Sequence, residues 1–227
     1  MTEDNASIYI ALERTNDNMK ILPFYENQSK LFCDFPLIGT EDFPFPVLIS
    51  SPDFNPTEPR DGVFLTCKNT ARIDEEIEVN RSIIEKACGL YEHLLEYVAK
   101  KKWDGIYNIS KVNAYSKKEW YDEEWLDEII AKCKDVILHT PIIRNACGDM
   151  KALIDSWDEQ ELYIISDRNV ATREKIWTLL SYMIPDMIPQ KEDLHEWYQS
   201  LWSGCNSYTF ERLSEQVSSF ATVDTLD

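Results

Sequence analysis

Glycine is scarce in this 227-residue chain, which has only Gly39, Gly62, Gly89, Gly105, Gly148 and Gly204, all scattered. Neither a P-loop nor a GxGxxG turn can be assembled from them, so the common glycine-built phosphate cradles are excluded. Histidine is scarcer still. His93, His139 and His195 show no HxH or HExxH spacing for a metal site. A GxSxG elbow for a serine hydrolase is also missing. The six cysteines are Cys33, Cys67, Cys88, Cys133, Cys147 and Cys205, and the nearest two in sequence stand 14 positions apart. That spacing excludes CxxC zinc and redox motifs, and buried reduced thiols are expected. Positive charge is short as well: 23 Lys and Arg face 41 Asp and Glu, a net charge of −18. Such a polyanion will not hold nucleic acid by phosphate neutralisation, nor settle on an anionic membrane surface. No apolar run approaches the ~18–20 residues of a membrane span. The opening MTEDNASIYI lacks the basic and apolar regions of a signal peptide, so a cytoplasmic location is expected.

What is present suits a folded protein. Hydrophobic residues make up 44% and charged residues 28% of the chain, enough for a packed core and one large or two small domains. Over the first 70 residues, Ile8, Ile10 and Leu12 alternate with Tyr9 and Ala11, the period of a half-buried strand. Short apolar runs follow at 20–25, 30–37, 46–50 and 62–67, separated by turn-forming clusters. Six of the ten prolines lie between Pro36 and Pro59. Proline removes a ladder donor, so this stretch is expected to hold edge strands and defined loops rather than central strands.

From Asp74 the period changes. Ile77, Ile83, Ala87, Leu90, Leu94 and Val98 recur at helical spacing, predicting a long amphipathic helix to about Lys102. A second helix is expected from the capping box Ser116-x-x-Glu119, with Leu126, Ile129, Cys133 and Ile137 on one face. Its acidic first turns, Glu119 to Glu128, read as a solvated face, or else as a metal site or a contact for a basic partner. Beyond the turn Asn145–Asp149, a strand is expected at 162–165, then helices over about 172–184, 191–202 and 209–220, with 221–227 frayed. Trp177, Trp197, Tyr198 and Trp202 at helical spacing suggest core. The expected fold is α/β or α+β: an N-terminal mixed sheet packed by the long helix over 1–140, then a smaller, mostly helical unit over 141–227.

One helical pair imitates a nucleotide site. Glu76-x-x-x-Asn80 has the spacing with which Bergerat-fold ATPases activate water and hold magnesium, but their glycine-rich lid is missing here. Stand-alone catalysis is not expected.

The distinctive segment runs from Leu31 to Gly62. It contains Phe35-Pro36-Leu37, Thr40-Glu41 leading to Pro46-Val47, then Phe54 and Arg60. In this it resembles the middle region, downstream of the ATPase domain, of large bacterial proteins with a sacsin-like, heat-shock-90-like Bergerat-fold ATPase. The stretches Thr140–Ile143, Arg173–Trp177 and Asp193–Tyr198 look similar to the bacterial members too. The resemblance implies a non-catalytic fragment of a chaperone-like ATP-binding protein. It would couple the nucleotide state of a preceding ATPase domain to a partner or client. ATP and magnesium would then belong to that parent, with no cofactor or metal in this chain, and Met1 would be either native or the start of an excised segment. The residue carried over as a phosphate contact is Arg60, although sacsin has two arginines where this chain has Arg60-Asp61. Alternatively, Arg60 pairs with Asp61, Glu58 or Asp53 in a turn. Phe54 and Glu41 are the candidates for a docking loop, or else a core plug and a tight connection. A self-contained acidic scaffold domain with no ATPase link is the competing expectation.

Overall fold

The computed structural model of the protein describes residues 1–15, 18–66, 74–112, 114–202, 205 and 207–218. The chain divides into two compact units, Met1–Thr140 and Pro141–Asp227. Helices and small mixed sheets share the chain, as α/β or α+β proteins have them. No helix among the described residues is long and apolar enough to cross a membrane.

The first unit is built on five short strands: β1 (Thr2–Glu3), β2 (Ala6–Tyr9), β5 (Leu31–Cys33), β6 (Phe35–Pro36) and β7 (Leu48–Ser50). Their order is β1-β2-β7-β5-β6, antiparallel except for the parallel β5–β7 pair. The expectation of no central strand in the proline-rich stretch is therefore corrected. Strand β7, between Pro46 and Pro52, lies at the centre of the sheet, and the prolines sit outside it or, like Pro36, on the edge strand β6, where the missing N–H costs no ladder bond. The alternation from Ile8 to Leu12 is not one strand either. The chain breaks at Ile10, and β3 (Ala11–Arg14) pairs with β4 (Met19–Leu22) as a separate hairpin. Over 62–66 the apolar run is buried but makes only an isolated bridge, Val63 to Pro56; Cys67 lies outside the described residues.

Helix α1 (Asp74–Lys100) has Asp74, Glu75 and Glu76 in its first turn and Lys100 in its last, as the helix dipole favours. Its buried face runs through Ile77, Asn80, Ile83, Ile84, Ala87, Leu90, Tyr91, Leu94, Leu95 and Val98. This face packs on β2 and on α2 (Glu123–His139). The start of α2 differs from expectation. Asp122, not Ser116, is the N-cap, its carboxylate accepting from the Trp125 N–H at 3.2 Å. Trp120 and Tyr121 are each 5% exposed and pack with Phe43, while the Trp120 carbonyl accepts from Leu65 N at 3.0 Å. This aromatic knot holds the chain ahead of Asp122 out of a helix and so overrides the capping-box pattern.

In the second unit, β8 (Ile143–Arg144) and β9 (Met150–Lys151) form a hairpin whose turn closes on Asn145 Oδ1, which accepts from Cys147 N at 3.0 Å and Asp149 N at 2.8 Å. Strand β10 (Ile164–Ile165) pairs in parallel with β11 (Ser207–Tyr208). Three helices follow expectation approximately: α3 (Val170–Met183), capped by Asn169, α4 (Leu194–Ser200) and α5 (Phe210–Ser218). Helix α4 is shorter than expected because Lys191–Asp193 forms a separate 3-10 turn. The expected frayed end, 221–227, and Gly204 lie outside the described residues. Ile165, Ile176, Leu180, Ile188, Leu194, Tyr208 and Leu213 form the core of this unit.

Candidate functional site: the rim around Arg60

The segment 31–62 folds into two interlocked loops at the β6 edge of the sheet. Strand β5 ends at Cys33, and Asp34, at φ +57°, turns the chain into β6. Thr40 then ties the first loop. Its buried Oγ1 donates to Leu37 O at 2.8 Å and accepts from Lys30 N and Leu31 N, each at 3.1 Å. Glu41 locks the same turn, its Oε1 accepting from Gly39 N at 3.0 Å and from Ser29 Oγ at 3.1 Å. Partial burial opposes ionisation of Glu41. Those hydrogen bonds and the nearby Lys118 cation outweigh it and hold the carboxyl below its ordinary value. The sign of the pH effect follows. The stabilisation is complete above about pH 4.5 and is lost as pH falls through the depressed value. Glu41→Gln should therefore lower stability at pH 7 and flatten the acid limb of a stability-against-pH curve, so that variant and parent converge at low pH; an unaltered acid limb would contradict this.

The second loop is organised by Thr57. Its N–H donates to Gly62 O at 2.9 Å, its hydroxyl donates to Asp61 Oδ1 at 2.5 Å, and its carbonyl accepts from Arg60 N at 2.7 Å. Arg60 is forced to φ +72°, a left-handed conformation that a residue with a Cβ adopts at a cost. Its guanidinium reaches across to the first loop and donates to Cys33 O at 3.1 Å. Among the described residues Arg60 makes no ion pair. Asp61 is engaged by Thr57, and Asp53 accepts from Asn5 Nδ2 at 2.9 Å. The turn-pairing alternative for Arg60 is thus not the one adopted. The loops also touch at Gly39, where a side chain would come within 3.1 Å of Asp61. Lys118 fastens the outside by donating to Gly39 O and pairing with Asp42 at 2.6 Å.

The result is a fixed rim carrying one exposed guanidinium beside two exposed apolar side chains, Phe35 (73% exposed) and Ile38 (75% exposed). In a chain of net charge −18, an exposed arginine whose side chain bonds a carbonyl and no carboxylate among the described residues is suited to receive an anionic group. Phe54 is not part of this exposed rim. It is 3% exposed, and its carbonyl accepts from Cys33 Sγ at 3.4 Å, so it plugs the core. A docking role would require it to leave that place.

In the Glu76–Asn80 pair the asparagine amide is committed to the backbone. Asn80 is fully buried, its Oδ1 accepting from Asn55 N at 2.7 Å and its Nδ2 donating to Asn55 O and Phe64 O at 3.0 and 2.9 Å. The acidic turns of α2 are partly used internally. Asp122 pairs with Arg81 at 2.7 Å, Glu123 with Lys117 at 2.5 Å, and Asp127 accepts from Tyr115 Oη at 2.9 Å. Trp197 is core, while the Trp177 indole donates to Pro189 O at 2.8 Å. No group of three or more potential metal ligands occurs among the described residues. The five described cysteines are free thiols, of which Cys147 is exposed and Cys88 half-buried, against the expectation that all are buried.

The sequence singled out Arg60 as a candidate but gave no sign that Phe35 and Ile38 are exposed. Nor did it single out Thr57, whose only signal was Thr57-x-x-x-Asp61-Gly62, the pattern of a side chain closing its own turn. Compared with protein-family models, with curated proteins and with solved structures, the chain matches none of them.

Proposed function

We propose that this chain is a non-catalytic docking module that couples the nucleotide state of a preceding sacsin-like ATPase domain to a partner or client. The contact surface is the rim of Phe35, Ile38 and Arg60. The observation that carries the reading is Arg60 itself: backbone-strained, exposed, without an ion pair among the described residues, and held within the segment that bears the resemblance. Strained residues concentrate where a structure is asked to present a group, and a presented guanidinium can stabilise charge on a transferring phosphoryl group. The flanking apolar pair supplies the desolvated contact that makes such a charge effective. A cytoplasmic setting fits the free thiols. The acidic scaffold reading is less well supported, because Asp122, Glu123 and Asp127 already have partners within the chain.

Arg60→Gly isolates the proposed role. Glycine adopts φ +72° without strain, a gain of about 1 kcal/mol that offsets loss of the Cys33 bond, also worth about 1 kcal/mol. The variant should match the parent in thermal stability, while turnover by the longer ATPase falls at unchanged ATP affinity. A variant as active as the parent in that assay sinks the proposal.

A further inference from the structure

We propose that Cys88 and Cys133 form a redox couple, joined by a peroxide-class oxidant into a reversible disulfide that ties α1 to α2. The inference is independent of the docking surface. Cys88 lies on α1 and Cys133 on α2, two helices packed against each other in the same unit. Both thiols line one cleft of about 270 Å³, together with Gly89, Glu92 and Lys132. Nothing lies within 4 Å of where a side chain at Gly89 would sit, so the cleft is open beside Cys88.

The two thiols are unequal, as a peroxide-reactive pair requires. Cys133 is 1% exposed. The neighbouring Cys88 thiol, followed by burial, raises its pKa well above the ordinary thiol value and keeps its proton in place. Cys88 is half-buried at the cleft and is the sulfur that meets the oxidant. The Tyr91 hydroxyl beside them is spent on Ile109 O at 2.7 Å and takes no part. In the first step Cys88 sulfur, having lost its proton, attacks a peroxide oxygen. The O–O bond breaks, Cys88 becomes a sulfenic acid, and the departing hydroxide takes up that proton as water. In the second step Cys133 sulfur attacks the sulfenic sulfur. The S–S bond forms, and the hydroxide leaves with the Cys133 proton as a second water. Two thiols and one hydrogen peroxide thus give one disulfide and two waters.

The test is peptide mapping by mass spectrometry of the whole reduced protein after hydrogen peroxide treatment under native conditions. The expected product is a linked pair of peptides containing Cys88 and Cys133, lighter by two hydrogens and restored by a thiol reductant. Circular dichroism first confirms that Cys133→Ser is folded. That variant should then stall with Cys88 as a sulfenic acid trapped by dimedone, and Cys147→Ser should leave the linked pair intact. Oxidation confined to the exposed Cys147, or Cys88 labelling equally in folded wild type and Cys133→Ser, overturns the proposal.

Discussion

Replacing Asn80 with leucine should cost the N-terminal unit about 4 kcal/mol, since each buried polar group stripped of its partner costs about 1–3 kcal/mol. The asparagine side chain joins α1 to both ends of the Arg60 loop, through Asn55 N–H and C=O on one side and Phe64 C=O on the other. Leucine has nearly the right volume, so the effect isolates the lost hydrogen bonds rather than a cavity. Asn80→Asp should also destabilise, because it removes the Nδ2 donor and buries a charge. Urea unfolding of the purified variants measures both effects. A loss below about 1 kcal/mol for Asn80→Leu would mean that water replaces the amide, a site then open enough to reconsider as a ligand position.

Gly62→Ala should be nearly as damaging, at about 3 kcal/mol, the upper part of the range for overpacking. An added Cβ would stand 2.1 Å from Trp120 Cε2 and 2.4 Å from Cζ2, inside the indole ring. Trp120 has little freedom to yield. It stacks on Phe43 with ring centroids 6.3 Å apart, meets Tyr121 edge-on at 4.2 Å, and its carbonyl holds Leu65 N. The strain therefore falls on the Thr57–Gly62 turn and moves Arg60. Shrinking the opposing ring should restore much of the loss, so Gly62→Ala with Trp120→Leu should be more stable than the sum of the single changes predicts. Additive losses would place the clash elsewhere.

How much of this was legible in the sequence depends on which interactions decided each element. Helix α1 announced itself because its eleven buried positions keep helical spacing along one face and local periodicity alone fixes such a face. The start of α2 was not legible. Ser116-x-x-Glu119 offers a valid capping box, but Trp120 and Tyr121 are claimed by Phe43, over 70 residues upstream, and Asp122 takes the cap instead. The strand pairing β10–β11 spans two residues per strand, too short for any period to register. At the candidate site the position of Arg60 could be picked out from the surrounding motif. What it bonds could not, because the partner is a backbone carbonyl 27 residues away, and a carbonyl leaves no trace in residue type. Asn80 shows the converse: a spacing that imitates a magnesium ligand is used here to satisfy three backbone groups of a loop.

The docking account makes the chain a presenter of one guanidinium, not a nucleotide site in its own right. Its most direct test is ATP binding by calorimetry, with steady-state turnover, on this chain and on the longer protein in which the resemblance places a nucleotide domain ahead of it. The account predicts that this chain alone neither binds nor hydrolyses ATP, that the longer protein does both, and that Arg60→Gly slows its turnover without weakening binding. Hydrolysis by the isolated chain, or turnover indifferent to Arg60→Gly, would contradict it.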